Sequence, residues 1–556
     1  MRNHFYQSAR ALCLCLCLSL ASTFNTSNAQ GFSSQTLARL QHVIDSFQNN
    51  PANPYVGGMS AAIKVDGLAF WQGATGYAAR NIDGNNNLLP GGTSFSTATL
   101  SRMYSVTKTF TAPLVLELAK GGAFSLENPV SMYLPLNLIN PDLNGAVTIR
   151  QLLAHESGYS NYTDEMMLQI AVAFQPTHVW TVFEMLTFVH QIHTPGSVRL
   201  YSSTNYLVLG AIIEIATGKT VEQHYRERFL TPLNLNSIYL GQRESQPVGT
   251  VLASPHDNLS PFNPIFQLTG QPTFPDAYTN ISAFPFTGIV SLAFTGGGLV
   301  SNVADMAEWS NSLFGGRATS KSTLDKMLNS ISPAPDPDGD FLGYGIFRTT
   351  RISTTNVFIG HDGNAPGYRS VMFYQPDRKM TIAILTNYGG AKLYAVAKAL
   401  FEALPEFTCG NNDKKEDKII VCFNGNNLCI ARSAAPGFIA RGAYLGNCQS
   451  TPAATLSVKE IVPVEISDNQ QAQLLAYPNP FAGNINLSFV PKETGKYSLS
   501  IYDINGQLIT TLYNKVAEKG ISQKVEWESR GFVQGTYIAS LQTPVGVQRQ
   551  KIVLAR

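Results

Sequence analysis

The apolar residues change their rhythm part-way along the chain. From residue 30 to about 408, helical spacing alternates with strand-like spacing, and from 474 onward only the two-residue alternation remains. The pattern predicts a mixed α/β domain at 30–408 and an all-β domain at 474–556. A length of 556 residues agrees with more than one domain. Residues 450–473 are polar, carry Pro452 and Pro463, and read as a linker. Residues 409–449 form a cysteine-rich module holding Cys409, Cys422, Cys429 and Cys448. An even cluster suggests disulfides, with three possible connectivities. A metal site is the alternative, but no histidine follows His361 to support it.

The N-terminus reads as an export signal over residues 1–29. Arg2 and Arg10 supply positive charge, residues 11–22 form a short apolar run, and Ser27-Asn28-Ala29 offers small residues for cleavage. The alternative is an N-terminal anchor. The run is short for a bilayer span and no later run is long enough, so a secreted or cell-surface protein without a transmembrane segment in its mature chain is expected. Cys13, Cys15 and Cys17 fall inside the removed piece. The formal net charge of +2, without a basic stripe or an acidic block, argues against a nucleic-acid partner.

Within the large domain, MSAAIKVDG (59–67) and LAFWQGATGYA (68–78) predict a hairpin. Residues 104–120 predict a helix closed by Gly121-Gly122, with Pro113 expected to kink it or split its hydrogen bonding. Residues 206–217 predict another helix, stopped near Gly218. Residues 358–363, 368–377 and 380–387 predict successive antiparallel strands. In the last domain YSLSIYDING and TYIASLQT alternate, with Asn505-Gly506 as a turn.

Three weak signals carry chemistry. Ser105 and Lys108 are three apart at a helix start, where they share a face. A lysine there can take the serine proton if burial lowers its pKa, and a nucleophilic serine needs such a base. An N-capping serine beside an exposed lysine gives the same spacing. Tyr201-Ser202-Ser203 precedes the second helix, where a phenol could shuttle a proton; a packed aromatic is the bland reading. His361-Asp362-Gly363 lies on a strand, where the histidine could donate to Tyr201 or to a substrate carboxylate and the glycine could admit a substrate backbone.

In order and spacing these residues resemble the penicillin-recognising serine enzymes: class C β-lactamases, D-alanyl-D-alanine carboxypeptidases and related esterases. The resemblance covers roughly residues 50–405 and includes RMYSVTKTFTA, TIRQLLAHESGY with His155, YSSTNYLVLGAIIEIATG, GGGLVSNVADMAEW and GHDGNAPGYRS. It implies an α/β (α+β) fold with an antiparallel sheet flanked by helices and an all-helical subdomain. It implies that Ser105 is acylated, Lys108 is its base and Tyr201 assists proton transfer. His361 would stand where β-lactamases place a lysine, and the N–H groups of Ser105 and Asn364, just after Gly363, would form the oxyanion hole. No cofactor or metal is implied. The family's middle motif is usually Tyr-x-Asn, and here Ser203 replaces the asparagine. A serine hydroxyl offers one donor rather than two, which weakens the case for amides and β-lactams. Asn205 belongs to a different place in that segment and does not substitute.

Residues 252–295 are rich in phenylalanine and proline, and could wall a cleft with apolar surface or simply anchor a long loop. A nucleophile elbow at Gly58–Ala62 lacks its strand–turn–helix context, and no His-Glu-x-x-His is present. The expected function is a secreted serine hydrolase cleaving an ester or a D-amino-acid-containing peptide, with a small-molecule or peptidoglycan-type substrate. β-Lactamase activity, or a non-catalytic surface protein keeping the fold, are the alternatives.

Tyr477-Pro478-Asn479-Pro480, SLSIYDINGQLI, GTYIASLQT and the terminal KIVLAR resemble the C-terminal sorting domain of the type IX secretion system. That resemblance implies a small β-sandwich and the type IX machinery as partner; an adhesive or carbohydrate-binding β-domain is the alternative. The segment KIIVCFNGNNLCI…GAYLGNC resembles a cysteine module of such secreted proteins, whose relatives carry histidines absent here.

Overall fold

The computed structural model describes residues 29–50, 55–336, 339–409, 417–448 and 474–554, the last span interrupted at 478–480, 482, 492, 504–506, 522 and 545. The expected signal segment up to residue 28, the linker, Pro478–Pro480 and the Asn505-Gly506 turn lie outside the described residues. The chain divides into two compact units, Met1–Leu456 and Ser457–Arg556.

The first unit is built on an antiparallel sheet. Its centre holds the expected hairpin, β1 (Gly58–Val65) and β2 (Ala69–Ile82), with β3 (Phe358–Ala365), β4 (Tyr368–Gln375) and β5 (Met380–Thr386). The spatial order is β2-β1-β5-β4-β3, and short strands Phe347–Thr349 and Phe341–Leu342 extend the edge beyond β3. Every residue of β5 is buried because both faces of the sheet are covered. Alternation sorts the side chains: Ala62, Met372, Ala383 and Leu385 enter one core, and Ile63, Phe373, Ile382 and Ile384 enter the other.

Six helices matter for the site: α1 (Ser34–Gln48), α2 (Lys108–Lys120), α3 (Thr204–Thr217), α4 (Thr287–Gly297), α5 (Val303–Phe314) and α6 (Leu393–Ala403). Apolar residues of α1 and α6 fill the second core, while α2, α3 and α5 fill the first. α2 continues through Pro113, which has no N–H to give to the preceding turn, and Gly121 caps it with Gly122 at φ +82°. Gly218, at φ +68°, closes α3, its N–H donating to Glu214 O.

The cysteine-rich segment joins this unit. Its bridges are Cys409–Cys429 and Cys422–Cys448. Ile419, Val421, Ala435, Ala443 and Leu445 belong to the same core as α1 and α6. Leu445 N–H also donates to Gly31 O at 2.9 Å, pinning the segment to the residues before α1.

The second unit is a β-sandwich. A three-stranded sheet (Leu474–Tyr477, Asn484–Phe489, Gln523–Glu528) and a four-stranded one (Leu508–Ala517, Gly495–Asp503, Gly535–Thr543, Gly546–Leu554) share a core around Leu487, Tyr497, Ile501, Trp527, Leu541 and Ile552. Among the described residues, no helix is long and apolar enough to cross a membrane.

Candidate active site

A 3₁₀ turn at Tyr104–Thr107 runs directly into α2 at Lys108, so Ser105 and Lys108 fall on one side. Tyr104 takes φ +43°, a left-handed conformation that a non-glycine residue adopts only when its surroundings hold it there. Lys108 Nζ lies 2.9 Å from Ser105 Oγ. The lysine is fully buried, not the exposed side chain that its position at a helix start would allow. Its Nζ also donates to Gly296 O at 2.7 Å and Ser203 Oγ at 3.2 Å. Three partners match the three protons of an ammonium. The amine keeps the latter two as acceptors and turns its lone pair to the serine hydroxyl. Burial pulls Lys108 down to about 7, and the charge of Asp362 opposes that shift. The Gly296 carbonyl reaches the lysine because α4 departs from helical geometry at Phe294, where φ is +27° and ψ −127°.

Tyr201 lies on the loop before α3 and donates its hydroxyl to Ser105 Oγ at 2.8 Å. Burial pushes its phenol well up, so it stays protonated and acts as a donor. The ring stacks on His155, with centroids 4.7 Å apart. His155 is buried and held neutral, first by burial and then by the charge of Lys108. Its Nδ1 accepts from Ser202 N–H at 3.2 Å and from Asn205 Nδ2 at 3.3 Å, and Ser157 Oγ donates to Asn205 Oδ1 at 2.5 Å. A polar chain behind the tyrosine thus fixes its plane.

His361 stands on β3 with its ring centroid 6.0 Å from that of Tyr201. Burial and the charge of Lys108 push it down to about 3, so it is neutral. Its Nδ1–H donates to Asp362 O at 2.6 Å. Nε2 is then unprotonated and can only accept. The expected donation to Tyr201 or a substrate carboxylate is therefore unavailable in this state. The role expected for Gly363 also changes. A Cβ there would lie 2.2 Å from Met103 O and 2.5 Å from Ser370 Oγ. The glycine admits the chain's own turn before Ser105, and Ser370 Oγ donates to the same carbonyl at 2.7 Å.

These residues open on a cleft of about 570 Å³, within the usual range for small-molecule sites. Ser105, Tyr201, Ser203, His361 and Asn364 line it. One wall is apolar, with Leu168, Val172, Phe262, Phe266, Phe284 and Leu292. Phe266, Phe274 and Phe284 also form a small core of their own, so the insertion both anchors itself and walls the cleft. The other end carries Asp336, Asp340, Arg351 and Asp362. Sequence reasoning missed Asn161, which lines the cleft and accepts from Ser203 N–H at 3.0 Å. The only hint was its place two residues after the HESGY segment. Among the described residues, no cluster of His, Cys, Asp and Glu could hold a metal ion.

Residues 44–404 match the family model described as Beta-lactamase. The chain belongs to the β-lactamase family. Residues 475–555 match the secretion system C-terminal sorting domain. Among curated proteins, the unguisins hydrolase of Aspergillus campestris is 22% identical over 377 residues, covering 65% of this chain and 64% of its own length. Penicillin-binding protein 4 of Amycolatopsis lactamdurans is 29% identical over 190 residues, covering 33% of this chain and 44% of its own. The chain thus spans less than two thirds of either relative. Among solved structures, D-amino acid amidase from Ochrobactrum anthropi SV3, complexed with L-phenylalanine, superposes with a TM-score of 0.54 at 25% identity, over 66% of this chain and 98% of that one. The β-lactamase-family domain thus shares the fold of that amidase.

Proposed function

We propose that this β-lactamase-family protein is an exported serine hydrolase that works through an acyl-enzyme on Ser105. One observation carries the reading: Lys108 Nζ and Tyr201 Oη both meet Ser105 Oγ, at 2.9 and 2.8 Å. Lys108, with a pKa near neutrality, takes the serine proton as Oγ attacks a carbonyl carbon. Tyr201, still protonated, relays a proton to the leaving group. The N–H groups of Ser105 and Asn364 hold the developing oxyanion. Water then hydrolyses the ester with the same lysine as base.

The apolar wall favours an acyl group with a large apolar side chain. Esters and amides of amino acids, including D-amino acids, fit this wall, and the D-amino acid amidase fold supports that choice. D-Alanyl-D-alanine carboxypeptidase and β-lactamase activities are ranked lower, because the neutral His361 offers no charge to a carboxylate. The sorting domain directs export to the cell surface or medium through the type IX machinery. Treatment with a fluorophosphonate probe, followed by peptide mapping, should label Ser105 and nothing in Ser105→Ala. Labelling at any other serine overturns the mechanism.

A further inference from the structure

Two consecutive carbonyls near the end of α4 accept hydrogen bonds from α2. Thr111 Oγ1 donates to Thr295 O at 2.7 Å, and Lys108 Nζ donates to Gly296 O at 2.7 Å. The last carbonyls of a helix have no partner inside it, and these two find theirs on one face of α2, three residues apart. Thr111 and Thr295 are fully buried. The Tyr225 hydroxyl lies 2.7 Å from Thr111 Oγ1, so Tyr225 can give its proton there and leave the threonine's own for Thr295 O.

The segment is strained and held from three sides. Phe294, at φ +27°, adopts a conformation that persists only where the surroundings impose it. Thr111 grips the next carbonyl, Thr295 Oγ1 donates to Tyr206 O of α3 at 2.6 Å, and Leu299 N–H donates to Thr107 Oγ1 at 3.1 Å. Gly210, one turn along α3 from Tyr206, makes the approach possible. A Cβ there would meet Thr295 Oγ1, and would lie 2.5 Å from Phe294 Cε1 and 2.8 Å from Thr295 Cγ2. Neither Thr111 nor Gly210 touches Ser105 or lines the cleft.

We propose that Thr111 and Gly210 are positioning residues for Lys108: through the 295–296 peptide they fix the carbonyl that holds one Nζ proton, and so aim the amine at Ser105. The inference rests on the reading of Lys108 as the base and adds what sets its aim. The other groups that bear on Lys108 are the Tyr201 and Tyr206 rings, 5.0 and 5.5 Å from Nζ, the neutral His155 and His361, and the Asp362 carboxylate. None of these is altered in the variants below.

The test compares the full-length protein with Thr111→Val, which keeps the volume and loses the donor, and with Gly210→Ala, folding being checked by circular dichroism. Lysine labelled with carbon-13 at Cε reports the titration of Lys108 without any turnover, its resonance assigned by its loss in Lys108→Arg. The pH profile of kcat and kcat/KM on p-nitrophenyl butyrate reports the catalytic effect. The Gly296 carbonyl favours the ammonium over the amine, so loosening it lowers the midpoint. Midpoint and acid limb should fall together by about one pH unit, the size of a hydrogen bond to a charged group. The plateau of kcat should drop about tenfold, with KM changed less. Thr111→Ser restores the hydroxyl and should return both. A midpoint unmoved in either folded variant overturns the positioning role, since a merely structural loss lowers the plateau and leaves the midpoint in place. A midpoint that moves while the wild type neither turns over the ester nor labels at Ser105 upholds the placement of Lys108 and overturns the hydrolase reading.

Discussion

Lys108 sits where its two protonation states are nearly balanced at neutral pH. Burial lowers it to about 7, and in the proposed mechanism the general base is its amine form. The sign follows: protonation below that value removes the base, so kcat/KM should fall about tenfold per pH unit below 7 and level off above it. A pH–rate profile on an uncharged ester checks this, because the substrate itself does not titrate. Lys108→Arg keeps the charge but cannot lose a proton, and should cost about 10²–10⁴-fold in kcat at every pH. Recovery of activity by that variant at high pH would contradict the assignment. At this scale the sequence was informative where chemistry fixes spacing. Ser105, Lys108 and Tyr201 stood out because a turn, a helix and a loop must present them in that order. His361 was visible as a residue, but its charge state was not, since that depends on burial and on Lys108 across the cleft. Asn161, Asp340 and Arg351 were invisible because distant loops bring them together.

Among the elements, β3 and the turn before α2 are interlocked. Gly363 leaves room for the Met103 carbonyl, which Ser370 Oγ from β4 then grips. Gly363→Ala places a methyl group 2.2 Å from that backbone oxygen, so strand or turn must shift. The expected cost is about 1–3 kcal/mol of stability, read from urea unfolding, with a larger fractional loss in kcat than in KM as Ser105 moves from its partners. An unaltered kcat would show that the interlock does not set the nucleophile. Strand and helix positions in this region were legible from apolar period alone: the 59–78 hairpin, the 204–217 helix and the three late strands all fall within a few residues of expectation. Pro113 does not end α2, because the flanking residues are buried nearly all round and packing holds the helix together. The 252–295 insertion lacked any period, and its shape follows from a private cluster of phenylalanines.

For the whole molecule, a shared core joins what the sequence read as separate, and two bridges hold the joined segment together. Cys409–Cys429 and Cys422–Cys448 close loops with sequence separations of 20 and 26 residues, and each should stabilise the first unit by about 3 kcal/mol. Cys422→Ser with Cys448→Ser should therefore lower the unfolding midpoint of the β-lactamase-family domain itself, as followed by loss of Ser105 labelling on heating. An unshifted midpoint would mean the segment is a passenger. The 474–556 sandwich has its own core and should unfold as a second transition. The 409–449 segment was recognisable as a cysteine cluster, but not as part of the core of the β-lactamase-family domain, because Ile419, Val421 and Leu445 are too short a run to reveal what they pack on. Their placement beside α1 has a consequence for biogenesis. The first helix of the domain waits for residues synthesised some four hundred positions later, and the staples that hold those residues form only in oxidising surroundings. Before export, in a reducing cytoplasm, the domain lacks its final clamp. A domain arranged this way reaches full strength outside the compartment that made it.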